Sequence, residues 1–151
     1  MRWLRTSRSG SVSVETALVV AYVLAPLCMG AIDVGMIMTT QARLDRALQA
    51  AAQYAWNIGG SATAANIQSA AQTGYGGGTP ALTASAALAC YCVTATATSP
   101  TAVACTGSCT SPKVLATYVT LTATTALSLP VPTPIFQSPM TLSASGTFRI
   151  Q

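Results

Sequence analysis

Hydrophobic and polar positions divide the chain into three segments of different character. From Ser11 to Met38 the residues are almost continuously apolar, and 17 residues without a charge separate Glu15 from Asp33. At about 1.5 Å rise per residue, a helix of this length nearly spans the roughly 30 Å hydrocarbon core of a bilayer. The N-terminal flank of the run carries three basic residues, Arg2, Arg5 and Arg8. The pattern predicts a membrane helix with a cytoplasmic N-terminus and an exported remainder.

Apolar runs near an N-terminus also occur in signal sequences and in buried core helices. A cleaved secretory signal favours a shorter apolar region followed by small residues at a cleavage site, and none stands out here. A lipoprotein signal needs a small residue before its cysteine, whereas Leu27 precedes Cys28. The basic flank disfavours a buried core helix. A plain membrane anchor and a pilin-type helix remain, and residues 10 to 15 bear on the choice between them.

Helical spacing continues beyond the apolar run, through residues 39 to 57. One stripe of this stretch is apolar and consists of Leu44, Ala47, Leu48, Ala51 and Ala55. We therefore expect one long helix that emerges from the membrane and ends at Gly59 and Gly60. Residues 62 to 72 are expected to form a short second helix, followed by a flexible glycine-rich stretch from Gly74 to Gly78.

The C-terminal part has the composition and alternation of β-strands. From Met140 onward apolar or small residues alternate with polar ones, which is typical of a half-buried strand. Further strands are expected from Leu115 to Leu127 and over residues 82 to 94. The prolines between them predict an extended loop before the final strand, at Pro130, Pro132 and Pro134. The predicted fold class is α+β: a long N-terminal transmembrane helix followed by a small antiparallel β-sheet packed on it.

Composition narrows the possible functions. Only 7% of the residues are charged and 51% are hydrophobic, against about 25% charged in typical soluble domains. The net charge of +4 is concentrated in the first eight residues, so it predicts no nucleic-acid surface. The chain has no histidine, and its three carboxylates, Glu15, Asp33 and Asp45, all precede residue 46. Because acid/base and nucleophilic catalysis mostly need these groups, we expect no enzyme active site, no cofactor and no small-molecule substrate.

Five cysteines divide between the apolar run and the exported part. Cys28 lies in the run and is expected to be a buried small apolar residue. The exported cysteines are Cys90, Cys92, Cys105 and Cys109. Their even number favours two disulfides in an oxidising compartment over a zinc site, which usually has paired C-x₂-C motifs. The favoured connectivity is nested, Cys90 with Cys109 and Cys92 with Cys105, although two other connectivities exist.

The stretch from Arg8 to Glu15 carries the most specific motif. A short basic leader ends at Gly10, and a carboxylate follows five positions later at the start of the apolar helix. This arrangement resembles the processing site of type IV prepilins. The resemblance implies cleavage by a prepilin peptidase between Gly10 and Ser11, and pairing of Glu15 with the new N-terminal amine of a neighbouring subunit. Alternatively, Glu15 simply complements the positive end of the helix dipole.

Further residues resemble the TadE-like (TadE/TadG) pseudopilin family of the Tad/Flp pilus system. The family has a GxxxxE-x-A motif, a hydrophobic run, a hydrophobic-acidic-hydrophobic-Gly step and an alanine-rich tail. The corresponding residues are Gly10, Glu15 and Ala17, then Ile32 to Gly35, then Ala50 to Ala55. Thr16 departs from the major Flp-type pilins, which have Tyr after the Glu. That departure and the long C-terminal part favour a minor, TadE-like subunit.

Two residues of the run have alternative interpretations. Asp33 either lies solvated at the outer membrane interface or contacts a partner helix. Pro26 is either a tolerated kink or a point of local helix opening used when helices pack.

The resemblance implies an organisation and a location. Residues 1–10 would be a prepilin-type leader, 11–57 the transmembrane helix and its periplasmic extension, 58–80 a short helix and linker, and 81–151 the β domain. The chain would be a single-pass bacterial inner-membrane protein, with its C-terminal domain periplasmic or extracellular after assembly. Its partners would be a prepilin peptidase, other pilin or pseudopilin subunits and inner-membrane lipid. The competing hypothesis is an uncleaved, signal-anchored periplasmic binding module.

Overall fold

A single long helix runs through the first third of the molecule. The computed structural model describes residues 9–94, 101–130 and 138–150. The helix comprises α1 (Ser9–Val19), a π-helical turn (Val20–Leu24) and α2 (Ala25–Ile58). It ends where Gly59 adopts a φ of 60°, a backbone conformation that favours glycine, and the Gly59 N–H still bonds to the carbonyl of Ala55. The prediction of one long helix ending at Gly59 is confirmed.

The π-helical turn lies directly before the only proline of the long helix. A proline lacks an N–H, and its ring clashes with the carbonyl four residues earlier, which for Pro26 belongs to Tyr22. The Ala25 N–H bonds to the carbonyl of Val20, five residues back, so the backbone is wider at this point. The helix therefore continues through Pro26, and one widened turn accommodates the ring.

A second helix, α3 (Ala64–Tyr75), packs along α2. The Thr63 hydroxyl caps its first turn by accepting a hydrogen bond from the Asn66 N–H, at 3.3 Å. Gly76 ends it in the left-handed conformation, with a φ of 87°. The helix is longer than the predicted stretch of residues 62 to 72 and includes Gly74. A Cβ on Gly74 would collide with the Cβ of Ala50, so the close approach of α3 to α2 requires this glycine.

Four antiparallel strands form one sheet in the order β2-β1-β3-β4. They are β1 (Leu82–Val93), β2 (Thr101–Val103), β3 (Val114–Leu127) and β4 (Met140–Arg149). The three long strands confirm the predicted strands, and the alternation from Met140 appears as the expected half-burial along β4. The short strand β2 was not predicted. Pro132 and Pro134 of the predicted proline loop lie outside the described residues.

The core lies between the helices and one face of the sheet, here called the inner face. It consists of Leu44 and several alanines on α2, apolar side chains of α3 and β3, and partly buried residues of β1 and β4 around them. The fully buried members are Leu44, Ala47, Ala51, Ala55, Ile67, Ala71, Val119, Leu121 and Ala123. The alanine stripe lets α3 and the sheet approach the α2 backbone closely. The predicted α+β class, with a small sheet packed on a long helix, is confirmed.

Candidate functional site

The first half of the long helix is an apolar surface that nothing in the described parts of the chain covers. Within residues 9–94, 101–130 and 138–150, one helix is long and apolar enough to cross a membrane, with a mean hydropathy of 2.1 over its best window. Only 6% of that window is buried. Its large exposed side chains include Val12, Val14, Leu18, Val19, Val20, Tyr22, Val23, Leu24, Leu27, Met29 and Ile32. Such a helix fits a single-pass membrane protein.

Glu15 is exposed on α1, at the N-terminal end of this apolar surface. Ser11 precedes it by four residues, so the two positions lie one turn apart on the same side of the helix. Gly10 and Ser11 belong to the first turns of α1, and their backbone is helical. The predicted cleavage position and the predicted pairing carboxylate are thus adjacent on one helical surface.

A shallow groove of about 580 Å³ runs beside Glu15 along the helix. Its residues are mainly small: Val12, Ser13, Thr16, Ala17, Val20, Ala21 and Ala25. The Thr16 hydroxyl donates a hydrogen bond to the carbonyl of Val12, at 2.9 Å, so its donor is satisfied within its own helix. Small side chains at four-residue spacing allow the backbone of a second helix to approach closely in a membrane.

Asp33 is fully buried, which contradicts its interpretation as a solvated residue at the membrane interface. It lies on the same helical stripe as Thr40 and Leu44, so it faces the body of the domain and not the outside. Within the described parts of the chain, neither of its carboxylate oxygens has a hydrogen-bond partner. Burying a carboxylate without a partner costs several kcal/mol, so Asp33 is a costly residue for the isolated subunit.

The four cysteines that follow the long helix form two disulfides, but with a connectivity that differs from the nested one. Cys90 pairs with Cys105, and Cys92 pairs with Cys109, with Cα atoms 5.1 and 5.7 Å apart. Because these sulfurs are bonded to each other, they are not available as zinc thiolates. Cys28 is a free thiol and is exposed on the apolar helix, so its expected burial is wrong for the single subunit.

The strand register explains why the nested pairing is wrong. In the β1–β2 ladder Val103 lies opposite Cys90, and Thr101 lies opposite Cys92. Cys105 follows Val103 by two residues, so it comes nearer to Cys90 than to Cys92. A turn closed by the Gly107 N–H on the Ala104 carbonyl, at 2.8 Å, then returns the chain so that Cys109 reaches Cys92.

Sequence reasoning missed a pair of aromatic residues at the same end of the sheet. Tyr91 on β1 and Tyr118 on β3 pack edge to face, with ring centroids 5.6 Å apart and an interplanar angle of 81°. Both residues lie within the predicted strands. Their contact depends on the register between β1 and β3, for which the sequence carries no signal.

Comparison with known proteins finds a similarity in the N-terminal part of the chain. Residues 10–53 match the family model described as TadE-like protein. The matched range begins at Gly10 and includes Glu15, the apolar surface and Asp33. Searches of the curated proteins and of the solved structures gave no match to this chain. The match agrees with the resemblance drawn from the sequence, and residues 10–53 of this chain are similar to the TadE-like family, which is associated with pili.

Proposed function

We propose that this chain is a minor, TadE-like pseudopilin of a Tad-type pilus assembly machine. The observation that carries the proposal is the TadE-like match over residues 10–53, which begins at Gly10 and includes the exposed apolar helix. The chain acts as a substrate of a prepilin peptidase and then as a structural subunit that contributes to pilus biogenesis or surface attachment. Its function is assembly and not catalysis.

The proposed location follows from charge and disulfides. The basic residues before the helix hold the N-terminus in the cytoplasm, and the domain after residue 39 crosses the inner membrane. Two disulfides in that domain support an oxidising compartment such as the periplasm. The apolar helix lies between the N-terminus and this domain. It is bound by inner-membrane lipid until the subunit joins other pilins or pseudopilins.

In the proposed assembly step, cleavage after Gly10 leaves Ser11 with a free α-amine. Glu15 is exposed in a region that lipid would surround, so its charge needs a partner there. The amine of a neighbouring subunit supplies that partner, and the groove lined by Ser13, Ala17 and Ala21 lets the two helices approach closely. Pro26 and the π-helical turn lie at the end of this groove and belong to the same proposed helix interface.

Processing is tested by the mass of the mature protein in cell envelopes. We expect the parent chain to lack residues 1–10 and a Gly10→Val variant to retain them. A matched control is Gly35→Ala, which changes another helical glycine where a Cβ meets nothing within 4 Å, and it should be processed normally. Parent protein that keeps its first ten residues would instead support the uncleaved, signal-anchored binding module.

Assembly is tested separately with Glu15→Gln, which keeps the shape of the side chain and removes its charge. We expect the variant to be processed and stable but not incorporated with the other subunits, as measured by co-purification from crosslinked envelopes. Asp45→Asn removes an exposed carboxylate from the same long helix and should be incorporated like the parent. Normal incorporation of Glu15→Gln would refute the amine pairing.

A further inference from the structure

The face of the sheet that points away from the helices, here called the outer face, carries almost no charge and many hydroxyl groups. Alternate residues of β1 and β4 pack on the helical core, so the intervening residues form the outer face. Arg149 is the only charged residue within the four strands. The hydroxyl-bearing residues of the outer face are Thr83, Ser85, Thr120, Thr122, Thr124, Thr141, Ser143, Ser145 and Thr147.

These hydroxyls form ordered rows across the strands. Thr120 lies opposite Thr147, and their hydroxyl oxygens are 3.0 Å apart. The next rows join Thr122 with Ser145 and Thr124 with Ser143. Successive rows are two residues apart along each strand, which is about 7 Å. The rows present donors and acceptors on an uncharged surface that is regular along the strand direction.

The Tyr91–Tyr118 pair lies at one end of these rows and forms one wall of a shallow cleft. The cleft has a volume of about 210 Å³ and is lined by Ala89, Tyr91, Tyr118, Thr120 and Thr147. Both tyrosines are half-buried, whereas Thr120 and Thr147 are exposed. The lining thus combines aromatic ring surface with hydroxyl groups and contains no charged side chain.

From this lining we infer that the cleft binds a neutral carbohydrate. One face of a sugar ring carries mainly C–H groups and packs on an aromatic ring, while its hydroxyls pair with hydrogen-bond donors and acceptors. The tyrosines supply the aromatic surface, and the hydroxyls of Thr120 and Thr147 supply the hydrogen-bond donors and acceptors. A longer glycan extends from the cleft along the hydroxyl rows. Apolar surface with a few convergent polar groups is the usual composition of small-molecule sites.

The charge distribution argues against a cationic ligand at the same tyrosines. Aromatic pairs also bind quaternary ammonium groups, but such sites gain from nearby negative charge. The chain has no Asp or Glu side chain after Asp45, and Arg149 lies directly across the β3–β4 ladder from Tyr118. The cleft lining therefore lacks the negative side chains that would favour a cation, whereas a neutral sugar does not need them.

The inference is tested on the full chain in lipid nanodiscs, because a glycoside detergent would itself supply sugar. The probes are the hexasaccharides of β-1,4-linked glucose and of β-1,4-linked N-acetylglucosamine, with tetramethylammonium as a cationic probe. We expect saturable binding of at least one hexasaccharide with a Kd of about 1 mM or tighter, measured by calorimetry and saturation-transfer NMR. Absence of saturable hexasaccharide binding, or tighter binding of tetramethylammonium, would overturn the inference.

Variants locate the site. Tyr118→Ala and Tyr91→Ala should each raise the Kd by about tenfold, because each removes an aromatic contact. Tyr22→Ala removes an exposed tyrosine of the apolar helix and should leave the Kd unchanged. If the alanine variants fail to fold, Thr147→Val preserves the side-chain shape and removes a hydroxyl of the cleft, and it should raise the Kd severalfold. If none of these cleft variants weakens binding, the sugar binds elsewhere and the proposed site is refuted. This test does not depend on processing at Gly10.

Discussion

The indole N–H of Trp56 donates a hydrogen bond to the backbone carbonyl of Arg149, with the nitrogen and oxygen 2.7 Å apart. The bond joins the last turns of α2 to the end of β4, 93 positions later in the chain. Just beyond it, the Ile150 N–H bonds to the carbonyl of Thr117, at 2.9 Å, and holds the end of the last strand on the sheet. The far end of the long helix is therefore fixed to the sheet by polar contacts as well as by the core.

Replacing Trp56 by Phe should weaken this attachment. The aromatic bulk remains, but the N–H donor is lost, and a hydrogen bond of this kind contributes about 0.5–1.5 kcal/mol to stability. We expect the free energy of unfolding to fall by that amount, measured by urea unfolding of the full chain in detergent. Tyr22→Phe, which removes a hydroxyl from the exposed apolar helix, is the matched control and should unfold like the parent. If the free energy of unfolding of Trp56→Phe equals that of the parent, the core alone fixes the end of the helix.

Gly74 should be intolerant of a side chain because α2 and α3 approach each other there. In an exposed helix interior Gly→Ala normally stabilises by about 1 kcal/mol. At Gly74 the added Cβ would collide with Ala50 and come within 3.1 Å of the Arg46 carbonyl oxygen. We expect Gly74→Ala to destabilise the domain by roughly 1–3 kcal/mol, as overpacking does.

Gly35→Ala is the control for this substitution, because a Cβ there meets nothing within 4 Å. It should leave the melting temperature unchanged or raise it. If thermal unfolding followed by circular dichroism gave Gly74→Ala the same upward shift, the close packing of α3 on α2 would be wrong.

The elements that could be predicted from the sequence are those whose pattern is local. The uncharged run and the alanine stripe of α2 specify the long helix, since both are read from neighbouring residues. The alternation from Met140 specifies β4 in the same way. The extension of α3 through Gly74 was missed because glycine there is required by contact with Ala50, and not by a turn.

The features that could not be predicted depend on contacts between distant parts of the chain. The disulfide connectivity follows from the register that places Val103 opposite Cys90. The positions of the four cysteines in the sequence do not determine that register. The burial of Asp33 depends on where the domain packs against the long helix. The Tyr91–Tyr118 contact likewise requires the β1–β3 register. At the candidate site, the roles of Gly10 and Glu15 stay predictions that rest on the spacing of the two residues.

Removing the charge of Asp33 should stabilise the isolated subunit. Its carboxylate is fully buried, and its oxygens lack hydrogen-bond partners in the described part of the chain. Asp33→Asn keeps the shape but removes the charge, so we expect the free energy of unfolding to rise by about 1 kcal/mol or more. Asp45→Asn changes an exposed carboxylate on the same helix, and its free energy of unfolding should stay within about 0.5 kcal/mol of the parent value. A destabilised Asp33→Asn variant would show that the carboxylate has a favourable partner.

The disulfide connectivity predicts different behaviour for two pairs of double variants. Cys90→Ala with Cys105→Ala removes one complete disulfide and leaves Cys92 bonded to Cys109. The denatured protein should then show one free thiol, that of Cys28, as the parent does. Stability should fall by about 3 kcal/mol, the value expected for closing a loop of this length.

Cys90→Ala with Cys109→Ala removes the same number of sulfurs but takes one from each disulfide. Cys92 and Cys105 then remain, and the register holds Cys105 near position 90 and not near position 92. A bond between them would require the β1–β2 end of the sheet to shift, so we expect both to be titrated as free thiols in addition to Cys28. This variant should also be less stable than the first, because it keeps no native disulfide. A contrary result would be that Cys92 and Cys105 form a disulfide in this variant and that it unfolds at a higher urea concentration than the first variant. The nested pairing would then be correct, and the register at this end of the sheet would be wrong.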